Sequence, residues 1–232
     1  MSEKKKIADD TVIWRYMDFT RFVAMLEHRG LYFTRADLLG DPFEGTFTPG
    51  SIDALTAQMP EGNVQPWSEI VRTLRNKSYV TCWHESPHES AALWRLYGDS
   101  LAIQSTHGRL RHFLPPDLYD IARVQYINYE KDYPDIYYSA GALLFKRSSF
   151  AHEREIRAIM QTFTYEGDTL IAYEPPNLPG DYAVGNLDEL IEAVVVAPGT
   201  PAWRRELVFK VGRKYGLDIQ CLSSKLDLPP PF

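Results

Sequence analysis

The chain has 232 residues, 44% of them hydrophobic and 24% charged, enough to bury a real core in one domain. A formal net charge of −6 argues against a protein that coats nucleic acid or anionic membrane through a general positive field. Two cysteines, Cys82 and Cys221, exclude a disulfide framework, and neither an apolar leader after Lys4-Lys5-Lys6 nor any run of about 18 apolar residues is present, so a cytoplasmic protein is expected.

Residues 1–10 read as a flexible tail before a single α+β domain over 11–232, with mixed sheets flanked by helices. Thr11 to Met17 reads as a strand, and Asp18 then caps a helix carrying Phe19, Phe22, Val23 and Leu26 at helical spacing until Gly30 stops it. Leu31 to Arg35 is a second strand, followed by a loop over Ala36 to Gly50 that holds Asp41-Pro42-Phe43-Glu44-Gly45. Two helices, broken at Pro60 and Gly62, are expected in 51–77 as an insertion on the sheet edge. Ser78 to Trp83, a segment beginning at Leu101-Ala102-Ile103, and Ile121 to Tyr129 read as strands. Ser139 to Phe145 reads as helical; Glu153 to Phe163 suits a helix by the spacing of Ile156, Ile159 and Met160 and a strand by its Ile and Thr content, with strand favoured, and Pro175, Pro176 and Pro179 mark a loop before the next strand. Ile191 to Ala197 is apolar enough for a strand buried on both faces, and a helix follows, capped by Thr200, with Pro201 first, Trp203, Leu207, Val208 and Val211 on its apolar face, and Gly216 at its end.

The densest chemistry lies in Cys82-Trp83-His84-Glu85-Ser86-Pro87-His88-Glu89-Ser90. His84-Glu85-x-x-His88 matches a zinc-protease signature by letter, but that signature needs a continuous helix and Pro87 breaks one. The stretch reads instead as a helix start, with Ser86 as N-cap, Pro87 first, Glu89 as capping-box partner and Gly98 closing the helix. Trp94 and Tyr97 then lie at i and i+3, with Ser90 one turn earlier, either as a core face or as walls of a base-stacking pocket.

Alternation turns Arg15 away from Trp14 and Tyr16, so its fork either takes a nucleotide phosphate or pairs with Asp41 or Glu44. Tyr32 and Arg35 on the second strand admit the same two readings. Glu153, Glu155 and Arg157 share a face of a strand, a place where a ribose or leaving group could be held, with Lys146-Arg147 adding positive charge nearby. No metal is expected from Cys82, His84, His88 and Cys221, because Cys-x-His is not a standard ligand spacing.

Trp14-Arg15-Tyr16, Leu31-Tyr32-Phe33 with Asp41-Pro42-Phe43-Glu44, Cys82-Trp83 with Glu89-Ser90 and Trp94-x-x-Tyr97-Gly98, and Phe150-x-x-Glu153-x-Glu155-x-Arg157 together resemble an uncharacterised bacterial domain-of-unknown-function family, number two-nine-seven-one in that series, over almost the whole chain. Its members look like remote relatives of the ADP-ribosyltransferase fold, which binds NAD and is used by toxins and phage-defence effectors. The resemblance implies that NAD is the substrate and that Arg15, Tyr32 and Glu155, with Glu153 the alternative, match the transferase positions by order. Glu155 would orient the nucleophile as an oxocarbenium-like centre forms. It further implies a nucleotide site drawing on Arg15, Tyr32, Arg35, Asp41, Glu44, Trp83, Glu89, Ser90, Trp94, Tyr97 and Arg157. A clear Ser-Thr-Ser strand is missing, Thr34 before Arg35 being the nearest match. The macromolecular acceptor is not legible. Two other classes stay open: a metal-dependent nuclease or phosphohydrolase using Asp41, Glu44, Glu153 and Glu155 as oxygen ligands, and a non-catalytic nucleotide sensor.

Overall fold

A computed structural model describes residues 6–57, 66–97, 100–134, 139–166, 169–172 and 178–230. Pro60, Gly62, Gly98, Pro175 and Pro176, which carried expectations above, lie outside the described residues. The fold is α+β. In chain order, β1 (Val12–Met17), α1 (Phe19–Glu27) and β2 (Gly30–Arg35) are followed by α2 (Pro49–Thr56), α3 (Trp67–Asn76), β3 (Ser78–Glu85) and α4 (Ala91–Tyr97). Next come β4 (Leu101–Thr106), α5 (His107–Phe113), β5 (Tyr119–Arg123), β6 (Gln125–Ile127), β7 (Phe145–Arg147) and β8 (Glu155–Gln161). The chain continues through β9 (Phe163–Glu166), β10 (Thr169–Ala172), β11 (Gly180–Val184), α6 (Leu187–Leu190), β12 (Ala193–Val196), α7 (Ala202–Lys214) and β13 (Gln220–Ser223).

Two compact units form, both discontinuous in sequence, so no boundary shows in the linear chain. The first takes Met1–Tyr32, Cys82–Pro116 and Tyr182–Phe232, the second Phe33–Thr81 and Asp117–Asp181. In the first unit β1 lies antiparallel between β4, in a register running from Val12↔Thr106 to Met17↔Leu101, and the end of β3, where Ile13 faces Glu85 and Trp14 faces His84. Beyond β4 comes antiparallel β12 and then parallel β13. All four residues of β12 are buried, as its unbroken apolar run predicts. Trp14 and Tyr16 pack with Leu93 and Trp94 of α4, Ala102 and Val195 into one core, while Arg15 is turned away from both aromatics as alternation requires. In the second unit β2 and β3 are antiparallel through Thr34↔Val80, and β8 pairs with β3 and β5. Its core joins Ala36, Leu74, Val80, Leu143 and Ile159.

Asp18 caps α1 as expected, accepting a bond from the Arg21 amide at 2.8 Å. Several local expectations need correction. It is Arg29, at φ 46°, and not Gly30 that carries the left-handed turn ending α1; Gly30 opens β2, where its missing side chain admits the Ala183 carbonyl. β3 extends past Trp83 to Glu85 because pairing with β1 outlasts the helix-start chemistry, and α4 accordingly begins at Ala91 with Ser90, not Ser86, accepting from the Leu93 amide. Residues 139–144 wind as a 3-10 helix, and Phe145 leaves it to pair in parallel with Gln125. Pro201 rather than Thr200 stands at the N-cap of α7, whose buried residues are Val208 and Gly212, leaving Trp203 66% exposed.

A Cβ on residue 30 would meet the Ala183 carbonyl oxygen at 2.9 Å and Tyr182 Cβ at 3.1 Å. Gly30→Ala should therefore cost about 1–3 kcal/mol through overpacking, read as a lowered urea midpoint, whereas an unchanged midpoint would show that the strand can move aside.

Candidate functional site

The sequence-expected residues fall into two groups, each inside one unit. The second unit holds a buried ionic network. Arg157 on β8 is 0% exposed, and Glu44, Lys146, Glu153 and Glu155 are each at most 6% exposed. One terminal nitrogen of Arg157 donates to Glu44 and, at 2.7 Å, to Glu155 Oε2, while the other donates to the Leu143 carbonyl at 2.7 Å. Lys146 Nζ donates to Glu153 and to Glu155 Oε1, the latter at 2.7 Å, with Glu44 Oε1 3.7 Å away. Both oxygens of Glu155 thus face a cation. Its backbone N–H donates to Tyr126 Oη at 2.8 Å.

The local chain explains how two glutamates reach one lysine. Glu153 is not on the strand as expected but ends a 3-10 turn, and Arg154 takes the left-handed conformation at φ 42° before β8 begins at Glu155. A non-glycine residue there costs roughly 1–2 kcal/mol, and such strain collects where surrounding contacts enforce it. In β7 Phe145 and Lys146 are both buried and Arg147 is half exposed, its fork pairing with Asp41 at 3.0 Å over the Phe43 ring.

Three carboxylates face two cations in this network. Burial pushes the Glu155 carboxyl up, but Arg157, a hydrogen bond with Glu153 and Lys146 outweigh it and hold Glu155 well below the usual carboxylate range. Burial alone would pull Lys146 down; Glu155, Glu44 and Glu153 carry it above the usual lysine range. The oxygens that a hard cation would take from Asp41, Glu44, Glu153 and Glu155 are held by Arg147, Arg157 and Lys146, and among the described residues no three His, Cys, Asp or Glu side chains converge as a metal-binding group.

The first unit places Arg15, Tyr32, Trp83, Glu89, Ser90, Trp94 and Tyr97. Asp41 and Glu44, one of the two readings offered for the fork of Arg15, are paired with Arg147 and Arg157. Arg15 instead donates to the Tyr32 carbonyl at 3.0 Å. Burial pulls its guanidinium down to about 10, with Arg21 adding to the effect and Cys82 and Tyr182 opposing it. The Tyr32 ring lies 5.0 Å from that of Tyr182, which in turn stacks on His28 at 4.0 Å. Arg35, in the second unit, pairs with Asp37 at 2.6 Å.

Glu89 is not a capping-box residue. One of its oxygens accepts from Trp94 Nε1 at 2.8 Å and Ser224 Oγ at 2.6 Å, the other from the Lys225 amide at 2.5 Å, so it fastens the segment after β13 to the start of α4. The Ser90 amide donates to Tyr16 Oη at 2.7 Å. Burial, aided by the Glu89 charge, pushes the Tyr16 phenol up to about 12 against the pull of that amide. Trp83 is 1% exposed, a core residue rather than a pocket wall, and its indole N–H has no hydrogen-bond partner among the described residues. Tyr97 is 50% exposed, so the core side of α4 is made by Leu93 and Trp94.

Lys146, Tyr126 and Tyr182 were not among the sequence-expected site residues. The sequence marks Lys146 only as nearby positive charge, because a lysine next to a buried Phe145 is not marked locally as buried itself; no local pattern marks Tyr126 or Tyr182, whose neighbours are distant in sequence.

Because Glu155 titrates low in the folded state, its stabilisation is complete above the unfolded glutamate pKa of about 4.3 and is lost as pH falls through the lower folded value. Glu155→Gln should cost on the order of 3 kcal/mol near neutral pH and flatten the acid-side loss of stability, followed as urea midpoints against pH; an unaltered pH dependence would remove Glu155 from that linkage. Glu89→Ala should cost about 2 kcal/mol and deprotect the Lys225 amide in hydrogen exchange, while retained protection would mean the segment is held by other contacts. Comparison of the chain with protein-family models, curated proteins and solved structures finds no match.

Proposed function

We propose that the protein binds NAD or a closely related dinucleotide and acts as an ADP-ribosyltransferase-like or NAD-hydrolysing enzyme, of the kind used as toxins or phage-defence effectors. The observation that carries this reading is the state of Arg15. A guanidinium has five N–H donors, and Arg15 gives one bond to a carbonyl while forming no ion pair with a carboxylate among the described residues. A desolvated, uncompensated cation beside Tyr182 and Tyr32 suits a phosphate on its fork and a ring against the aromatics. The resemblance by itself assigns the transferase acid to Glu155; in that role a ribose hydroxyl must displace Lys146 or Arg157 from one of its oxygens.

A second reading, a nucleotide sensor without turnover, is favoured by one observation: both Glu155 oxygens are already bonded to cations. Calorimetry with NAD, followed by assays of nicotinamide release and of label transfer from adenine-labelled NAD into lysate, separates the two. Arg15→Gln should weaken NAD binding at least about tenfold. Release lost in Glu155→Gln, with the variant's fold checked by circular dichroism and its NAD binding retained, supports the enzyme; release without label transfer identifies water as the acceptor. Binding with no release supports the sensor, and no binding to the wild type overturns both readings.

A further inference from the structure

A cavity of about 450 Å³ opens on the first unit, between the end of α1, the turn from β11 to α6 and the residues following α7. Its volume suits a small organic ligand. The buried Leu26, Leu187 and Leu217 give it an apolar floor. Its polar lining is mostly committed: Asp188 accepts from the Asp218 amide at 3.0 Å, and Tyr215 is hydrogen-bonded to Glu27.

Arg29 is the exception. Its backbone is fully used, the amide donating to the Leu26 carbonyl at 3.1 Å and the carbonyl accepting from the Gly185 amide at 2.9 Å. The side chain forms no hydrogen bond or ion pair among the described residues. Arg29 also stands at φ 46°, the left-handed position after a helix that glycine or asparagine adopts most readily. A strained non-glycine backbone, a free guanidinium and an apolar cavity coincide at one residue, and strain of this kind points toward function.

We propose that this cavity binds a small amphipathic organic monoanion, its apolar body on Leu26, Leu187 and Leu217 and its carboxylate, sulfonate or phosphate on Arg29. A single charge is specified because Asp188 and Glu27 stand close by and would repel a polyanion. The site does not depend on the NAD reading.

The test titrates full-length protein with anilinonaphthalene sulfonate and follows its fluorescence, with naphthoate as competitor. The wild type should bind one equivalent saturably. Arg29→Gly, which places glycine where φ is positive and so keeps the fold, should weaken binding at least about tenfold, and Val184→Trp at the rim should block it by filling the cavity. NAD binding should be unchanged in both variants, which separates failure here from failure of the proposed function. Absence of saturable one-to-one binding, or equal affinity in the wild type and Arg29→Gly, would overturn the assignment.

Discussion

The second unit depends on a guanidinium that water cannot reach. An unpaired charge in the interior would cost several kcal/mol, so the three segments that satisfy Arg157 have little freedom: the loop holding Glu44, the 3-10 turn that presents the Leu143 carbonyl, and the head of β8 with Glu155. Lys146 adds a second cation from β7 and draws in Glu153. Apolar packing around Ala36, Leu74, Val80 and Ile159 supplies bulk stability, but it is non-directional. The ionic network fixes conformation, because each bond has one geometry and each lost partner strands a charge.

The first unit treats its charges in the opposite way. Glu89 uses both oxygens on three donors from two distant segments, which makes it a fastener. Arg15 and Arg29 keep most of their donors in reserve, one beside stacked aromatics and one over an apolar floor. Five ionisable side chains, three acidic and two basic, meet in the second unit, whereas in the first unit Arg15 and Arg29 form no ion pair among the described residues.

Much of this was legible locally. The Asp18 cap formed as read, and strands form within the segments read for them, Val12–Met17 inside Thr11 to Met17 and Ala193–Val196 inside Ile191 to Ala197, because each carries its own determinants. What failed was decided at a distance. Ser86 has the chemistry of a helix cap, yet its amide donates to the Val12 carbonyl and its own carbonyl accepts from Trp14 Nε1, so sheet pairing claims it. Asp41 and Glu44 could have met any of several arginines, and a linear sequence holds no account of which one reaches an acid first; they meet Arg147 and Arg157. The closeness of Glu153 and Glu155 was readable; the left-handed Arg154 that turns both toward Lys146 was not, since arginine is a poor residue for that conformation.

The interleaving of the two units bears on how the chain can fold as it is made. β1 and β4 lie within the first 106 residues and can pair early, but the far edge of β4 waits for β12, and β13 follows only after a further helix. The Glu89 fastener likewise stays open until Ser224 and Lys225 have been synthesised. Throughout that interval the nascent chain presents an unpaired sheet edge beside the apolar faces of Trp14 and Trp94, an adhesive surface of the kind that recruits chaperones. Neither unit can be released by a single cut, so the smallest autonomous folding body is expected to approach the whole polypeptide.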